Sequence, residues 1–97
     1  MTPAVKQTPA LSALRDELGT LDAEFVELLA RRVDIARRIG AEKRAAGLAT
    51  LDTRREAQVV AAVARHARRM GLPEESVRDI FWPVVAMCRR AQQDEGS

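Results

Sequence analysis

Between Pro9 and Ala46 no proline interrupts the chain, and Leu11, Leu14, Leu18, Leu21, Phe25 and Leu28 recur at alternating steps of three and four. That spacing is the seam of a helix packed along its length against other helices. Thr8 followed by Pro9 suits a helix start, and Gly47 in "AAGLAT" is its stop. Such a helix has about 38 residues and, at roughly 1.5 Å per residue, a length of about 57 Å. Nothing else in the sequence is long enough to cover it. The second helical stretch, "TRREAQVVAAVARHARRM", opens with a capping box, Thr53-x-x-Glu56, and ends at Gly71. The third begins at "LPEES", with Pro73 suited to its first turn and two acids near its positive end, and runs to about Asp94. Pro83 lies inside it and predicts a local kink or a widened turn. The fold class is therefore all-α, three helices with a very long first one. Two shorter helices cannot bury both ends of the first, so an intertwined helical homodimer is expected.

At 97 residues the chain forms one domain. Residues 1–8 read as a flexible leader and residues 9–97 as a single helical domain. Tyr is absent and Phe plus Trp number three, so the core must be built from Leu, Val, Ile and Ala, which favours packed helices. The single Cys88 excludes an internal disulfide, and with His66 the lone histidine no zinc-type ligand set can be assembled in one chain. No metal centre is expected. The N-terminal "MTPAVKQTPA" has no apolar h-region, and no apolar run approaches the roughly 20 residues of a membrane span, which points to a soluble cytoplasmic protein.

Net charge is only +2 because acids are interleaved with the basic residues, including the helix-spaced pairs Glu27 with Arg31 and Asp34 with Arg38. Five Arg-Arg doublets, at 31–32, 37–38, 54–55, 68–69 and 89–90, are dispersed rather than gathered into a stripe, which speaks against nucleic acid. No repeat or glycine-rich phosphate loop is present. Function must lie on helix faces.

The informative residues are polar ones on apolar stripes. The stripe of the first helix reaches Arg32 before Ile35 and Ile39 resume it, and a buried guanidinium is costly unless an anion meets it. Lys43 lies about three turns further on, pointing in nearly the same direction roughly 16 Å away. Together they bracket a small anion over a floor of Ile35, Ala36, Ile39 and Gly40, with Gly40 allowing close backbone approach. The alternative is an internal salt bridge from Arg32 to Glu56 or Asp52. On the third helix Val77, Phe81, Val84 and Cys88 define a stripe whose next member is Gln92, a fraying end or an uncharged hydrogen-bond donor. The second helix carries Glu56 on a stripe with Val60, Val63, Ala67 and Met70, although the capping box alone explains a glutamate there. Arg55 beside it reads as surface. Cys88 fits a small core residue better than a nucleophile, since its stripe neighbours are apolar and no histidine is near. His66 takes no role.

The run "LSALRDELGTLDAEFVELLARRVDIARRIGAEK", followed by a short loop, "DTRREA" and a third helix ending at Gln92, resembles the all-helical AroQ-type chorismate mutases. The likeness covers about residues 11–93 and rests on the order and spacing of Arg15 in "LR", Leu21 and Asp22 in "LD", Arg32 in "LLARR", Lys43 in "IGAEK" and Arg55 with Glu56 in "RE".

This resemblance implies an intramolecular rearrangement of chorismate to prephenate, in aromatic amino-acid biosynthesis, with no cofactor and no covalent intermediate. It implies a pocket built by two interlocked chains. Arg15 and Arg32, roughly 25 Å apart along one helix, would grip the dicarboxylate from different subunits, since arginine suits carboxylates best. Lys43 and Gln92 would donate to the ether oxygen, where negative charge develops as the C–O bond breaks. Glu56 would accept from the ring hydroxyl, with Asp52, Arg55 and Cys88 lining the substrate. Two departures stand out: Leu51, where some relatives carry another arginine, and Cys88, where some carry a serine. Both thin the carboxylate grip. A 4-amino-4-deoxychorismate mutase is the first alternative, an isochorismate pyruvate-lyase the second, and a non-catalytic helical dimerisation module the competing class.

Overall fold

The computed structural model describes residues 8–94. They form three helices, α1 (Pro9–Ala45), α2 (Thr53–Arg69) and α3 (Glu74–Gln92), with no strand among the described residues. The all-α expectation holds. The leader expected at residues 1–8 lies outside the described residues, apart from Thr8.

Local chemistry sets the helix ends. Thr8 Oγ1 accepts the Leu11 N–H at 3.0 Å, while Pro9 takes the first helical position, where a missing N–H goes unused. Gly47 and Gly71 each adopt positive φ, 71° and 75°, and end α1 and α2 in the same way. The Gly47 N–H donates to the Arg44 carbonyl at 3.1 Å and the Leu48 N–H to that of Lys43 at 2.8 Å. At the end of α2, Gly71 donates to Arg68 at 3.1 Å and Leu72 to Ala67 at 2.9 Å. This double closure uses carbonyls that the helix would otherwise leave open, and it needs the left-handed backbone that glycine adopts without strain.

Two starts differ from expectation. The N-cap of α2 is Asp52, not Thr53: its Oδ1 accepts the Arg55 N–H at 3.0 Å. A carboxylate answers the positive helix end better than a hydroxyl, so the capping box does not form and Glu56 is released for other work. In α3, Pro73 is the N-cap rather than a first-turn residue, with extended backbone (φ −63°, ψ 122°) and its carbonyl accepting the Val77 N–H at 3.2 Å. Glu74 and Glu75 occupy the first turn as expected. The helix continues through Pro83, whose missing N–H leaves the Asp79 carbonyl without its helical donor.

The chain divides between Ala30 and Arg31 into two units. In the first, the seam side chains Leu14, Leu18, Leu21, Phe25 and Leu28 are each more than half exposed. In the second, the buried side chains are Ala36 from α1, Val60, Ala64 and Ala67 from α2, and Val84, Val85, Cys88 and Ala91 from α3. Ala36, Cys88 and Ala91 pack together, with Val33 against them. The core is thus built from small side chains, alanine and valine with Cys88; the leucine and isoleucine expected in it are not among the buried residues. The α2 stripe is shifted from the expected one: Ala64 is buried, Val63 half-buried, and Met70, at the helix end, is exposed. Pairing of Asp34 with Arg38 forms as spaced, at 3.2 Å.

Candidate functional site

Seven of the eight side chains singled out by the sequence line one cavity of about 380 Å³ in the second unit. The late turns of α1 supply Arg32 and Lys43 between Ile35, Ala36 and Ile39. The start of α2 supplies Asp52, Arg55 and Glu56, with Val59 beneath them. From α3 come Val85, Cys88 and Gln92. Three cations and two acids therefore stand around apolar walls. Arg15 lies in the other unit, on α1, and is not among these lining side chains.

Gln92 is held by three residues of α1 at helical spacing. Gly40 is buried against it: a methyl on Gly40 would stand 2.7 Å from Gln92 Cα and closer still to the Gln92 carbonyl oxygen, so only glycine fits. Gly40 was expected as cavity floor; its close approach is instead to the backbone of α3, and it does not line the cavity. One turn on, Lys43 Nζ donates to Gln92 Oε1 at 2.9 Å and to the Thr50 carbonyl at 3.0 Å. The next residue, Arg44, donates through Nη1 to the Gln92 carbonyl at 2.6 Å. The preceding carbonyls of α3 are taken by the Gln93 and Asp94 N–H groups, so Arg44 completes the closure of that helix end. The Lys43–Gln92 bond also decides how the amide faces. An ammonium only donates, hence Gln92 must give it the oxygen and turn its NH2 away, while Lys43, with three protons and two protein acceptors, keeps one donor to spare.

Arg32 is half-buried, with its guanidinium carbon 5.3 Å from the centre of the Phe81 ring. Among the described residues it makes no hydrogen bond or ion pair. The internal salt bridge to Glu56 or Asp52 does not form: Asp52 caps α2, and Glu56 is forked by Arg89. In that pair Arg89 Nε donates to Glu56 Oε2 at 2.9 Å and Nη2 to Oε1 at 2.6 Å. The hydrogen bonds and charge of Arg89 hold the Glu56 carboxyl below its ordinary value, against the opposing effects of burial and of Asp52, while Lys43 adds to the lowering. The same pairing raises Arg89.

Cys88 is buried beside Ala36 and Ala91 and forms part of the cavity wall. Leu51 is exposed, as is His66, whose ring Nδ1 lies 3.4 Å from Arg69 Nη2. A second, shallower hollow of about 660 Å³ adjoins the same stretch of α1, sharing Ile35, Ile39 and Lys43 and extending to Arg38, Ala46 and Leu48.

A model of the family described as chorismate mutase type II matches residues 14–93. The chain belongs to the chorismate mutase type II family. Its relatives include the T-protein of Enterobacter agglomerans, 29% identical over 86 residues that make up 89% of this chain and 23% of that protein. A 3-dehydroquinate dehydratase of Pyrobaculum aerophilum is 38% identical over 84% of this chain and 24% of its own length. A 4-amino-4-deoxychorismate mutase of Streptomyces pristinaespiralis is 32% identical over 95% of this chain and 70% of its own length. The chain thus spans about a quarter of the length of the first two of these relatives and most of the third.

Within this chorismate mutase fold, two residues at the site escaped sequence reading. Arg89 was visible only as half of a surface doublet, although its place four residues after Val85 and three before Gln92 puts it at the edge of the α3 stripe. Arg44 gave no signal, because its partner is a backbone carbonyl.

Proposed function

We propose that this chain is a chorismate mutase, converting chorismate to prephenate by intramolecular rearrangement without a cofactor, as a cytoplasmic homodimer in aromatic amino-acid biosynthesis. Residues 9–97 act as one helical domain. The observation that carries the reading is the convergence of Arg32, Lys43, Arg55 and Gln92 on an apolar cavity of about 380 Å³. With Arg89 counted, the charge around it is +2, equal and opposite to that of a dicarboxylate.

Arg32 and Arg55 take the carboxylates, joined by Arg15 from a second copy. Support for the second copy comes from the exposed seam of Leu14, Leu18, Leu21, Phe25 and Leu28, and from the open hollow beside Ile35 and Ile39, both of which a neighbouring helix would cover. As the breaking C–O bond places negative charge on the ether oxygen, the spare Lys43 proton and the Gln92 NH2 donate to it. Both are held in place before reaction by the Thr50 carbonyl, Gly40 and Arg44, so little reorganisation opposes the barrier. Holding the enolpyruvyl arm over the ring adds an entropic share. Glu56 accepts from the ring hydroxyl, Asp52 lines the same edge, and Cys88 contributes wall.

The second reading is a 4-amino-4-deoxychorismate mutase, favoured by the relative of that name that aligns with nearly the whole chain. Following the loss of chorismate absorbance with purified protein, and then with Lys43→Ala and Arg32→Ala, tests the primary reading. No rate above background in the wild type would leave only a helical dimerisation module or a different substrate. Running the 4-amino analogue and isochorismate in parallel distinguishes these.

A further inference from the structure

Glu56 faces the cavity with its charge already answered. Arg89 reaches it from α3 through two nitrogens, one to each carboxylate oxygen, at 2.9 and 2.6 Å. Each oxygen keeps a lone pair for a ligand. The Glu56 side chain is 15% exposed and that of Arg89 35%, so the pair is partly screened from water. The other charged groups at this edge are Asp52 and Arg55 on α2 and Lys43 and Arg32 on α1.

We propose that Arg89 is a positioning and specificity-determining residue: by neutralising Glu56 through a two-pronged bond, it fits the cavity to a substrate with a neutral hydroxyl opposite that carboxylate and disfavours one with an ammonium there. This rests on the mutase reading above. A lone carboxylate in a half-dry cavity attracts an ammonium strongly. Once a guanidinium shares that charge, an incoming ammonium meets a net neutral pair and the repulsion of Arg89 at short range. A hydroxyl is a neutral dipole and needs only a free lone pair, which the fork leaves it. Discrimination thus comes from a built-in repulsive element as well as an attractive one. Arg89 also supplies the unit of positive charge by which a doubly negative substrate differs from its singly negative amino analogue. The lowered Glu56 carboxyl agrees with this arrangement, Arg89 being the main cause and Lys43 a lesser one, with Asp52 opposing.

The test compares wild type with Arg89→Gln, Arg89→Met and Arg89→Lys on chorismate and on 4-amino-4-deoxychorismate, with kcat and KM measured separately. In parallel, the Glu56 carboxyl is titrated by carbon-13 NMR, assigned with Glu56→Gln. In Arg89→Gln and Arg89→Met the Glu56 titration moves to higher pH. The ratio of kcat/KM for chorismate over the amino analogue falls by about fivefold or more, the scale of a single lost charge-assisted contact. Arg89→Lys, which keeps the charge without the fork, recovers part of both. A Glu56 titration or a substrate ratio that stays where it was in folded Arg89→Gln and Arg89→Lys overturns the proposal, and so does a wild type that prefers the amino compound. A wild type active on neither substrate defeats the mutase reading and the discrimination with it. The NMR titration then still reports whether the pairing exists, so the two failures are read separately.

Discussion

Lys43 Nζ and Gln92 Oε1 stand 2.9 Å apart, joining the last turn of α1 to the last residue of α3. This bond orients both groups. The lysine spends one proton on the amide oxygen and one on Thr50, and the amide, having given up its oxygen, presents NH2. Two donors that share a scaffold are expected to act as a unit in the reaction.

Removing one of them should show this. Lys43→Ala removes the partner that orients the Gln92 amide and, on the proposed mechanism, a donor to the developing charge. Barrier lowering should fall by at least about 3 kcal/mol, by analogy with loss of an oxyanion donor. The check is kcat for chorismate; a tenfold loss or less would count against the assignment.

Gly40→Ala and Gly19→Ala should have opposite signs. Both sit within α1, where alanine is intrinsically better than glycine by about 1 kcal/mol. Around Gly19 nothing lies within 4 Å, so alanine should stabilise there. At Gly40 the new methyl meets the backbone of Gln92, which has no side-chain rotation to offer, so a net loss of about 1–3 kcal/mol is expected together with loss of activity. Urea unfolding of the two variants side by side decides this. A stabilised Gly40→Ala protein with full activity would disprove the tight seating of α3.

The proposed sharing of each site between two copies predicts complementation. Arg15→Ala and Arg32→Ala should each be inactive alone. If a second copy supplies Arg15, mixing equal amounts under exchange should restore about a quarter of wild-type specific activity, since half the dimers are mixed and each mixed dimer has one intact site. No recovery, with exchange confirmed by mass spectrometry, would place Arg15 outside the site.

The Glu56–Arg89 pair has a defined pH dependence. The folded-state Glu56 carboxyl lies below the ordinary value of 4.5, so the pair contributes stability above that value and loses it as pH falls through the folded one. Arg89 stays charged throughout this range. The stability difference between wild type and Arg89→Gln should therefore be plain near neutrality and close as the solution is acidified below about 4.5. Urea midpoints measured across that range provide the check, and a difference that ignored pH would contradict the assignment.

Much of this could be read along the chain, because the signals are local. Thr8 and Pro9, Gly47 and Gly71 each act on groups within a few residues, so helix ends follow from short stretches of sequence. Polar side chains interrupting an apolar period mark a site for the same reason: periodicity assigns a face, and Arg32, Lys43, Glu56 and Gln92 fall on the wrong kind of face for their chemistry. What periodicity leaves free is how one helix is rotated and slid against the next. That choice gave Glu56 to Arg89 rather than to Arg32 and brought Gln92 to Lys43 across 49 positions of sequence. Pairing between distant charges depends on angstroms of relative placement, which the packing of the helices decides, the close seating of Gly40 against the end of α3 included.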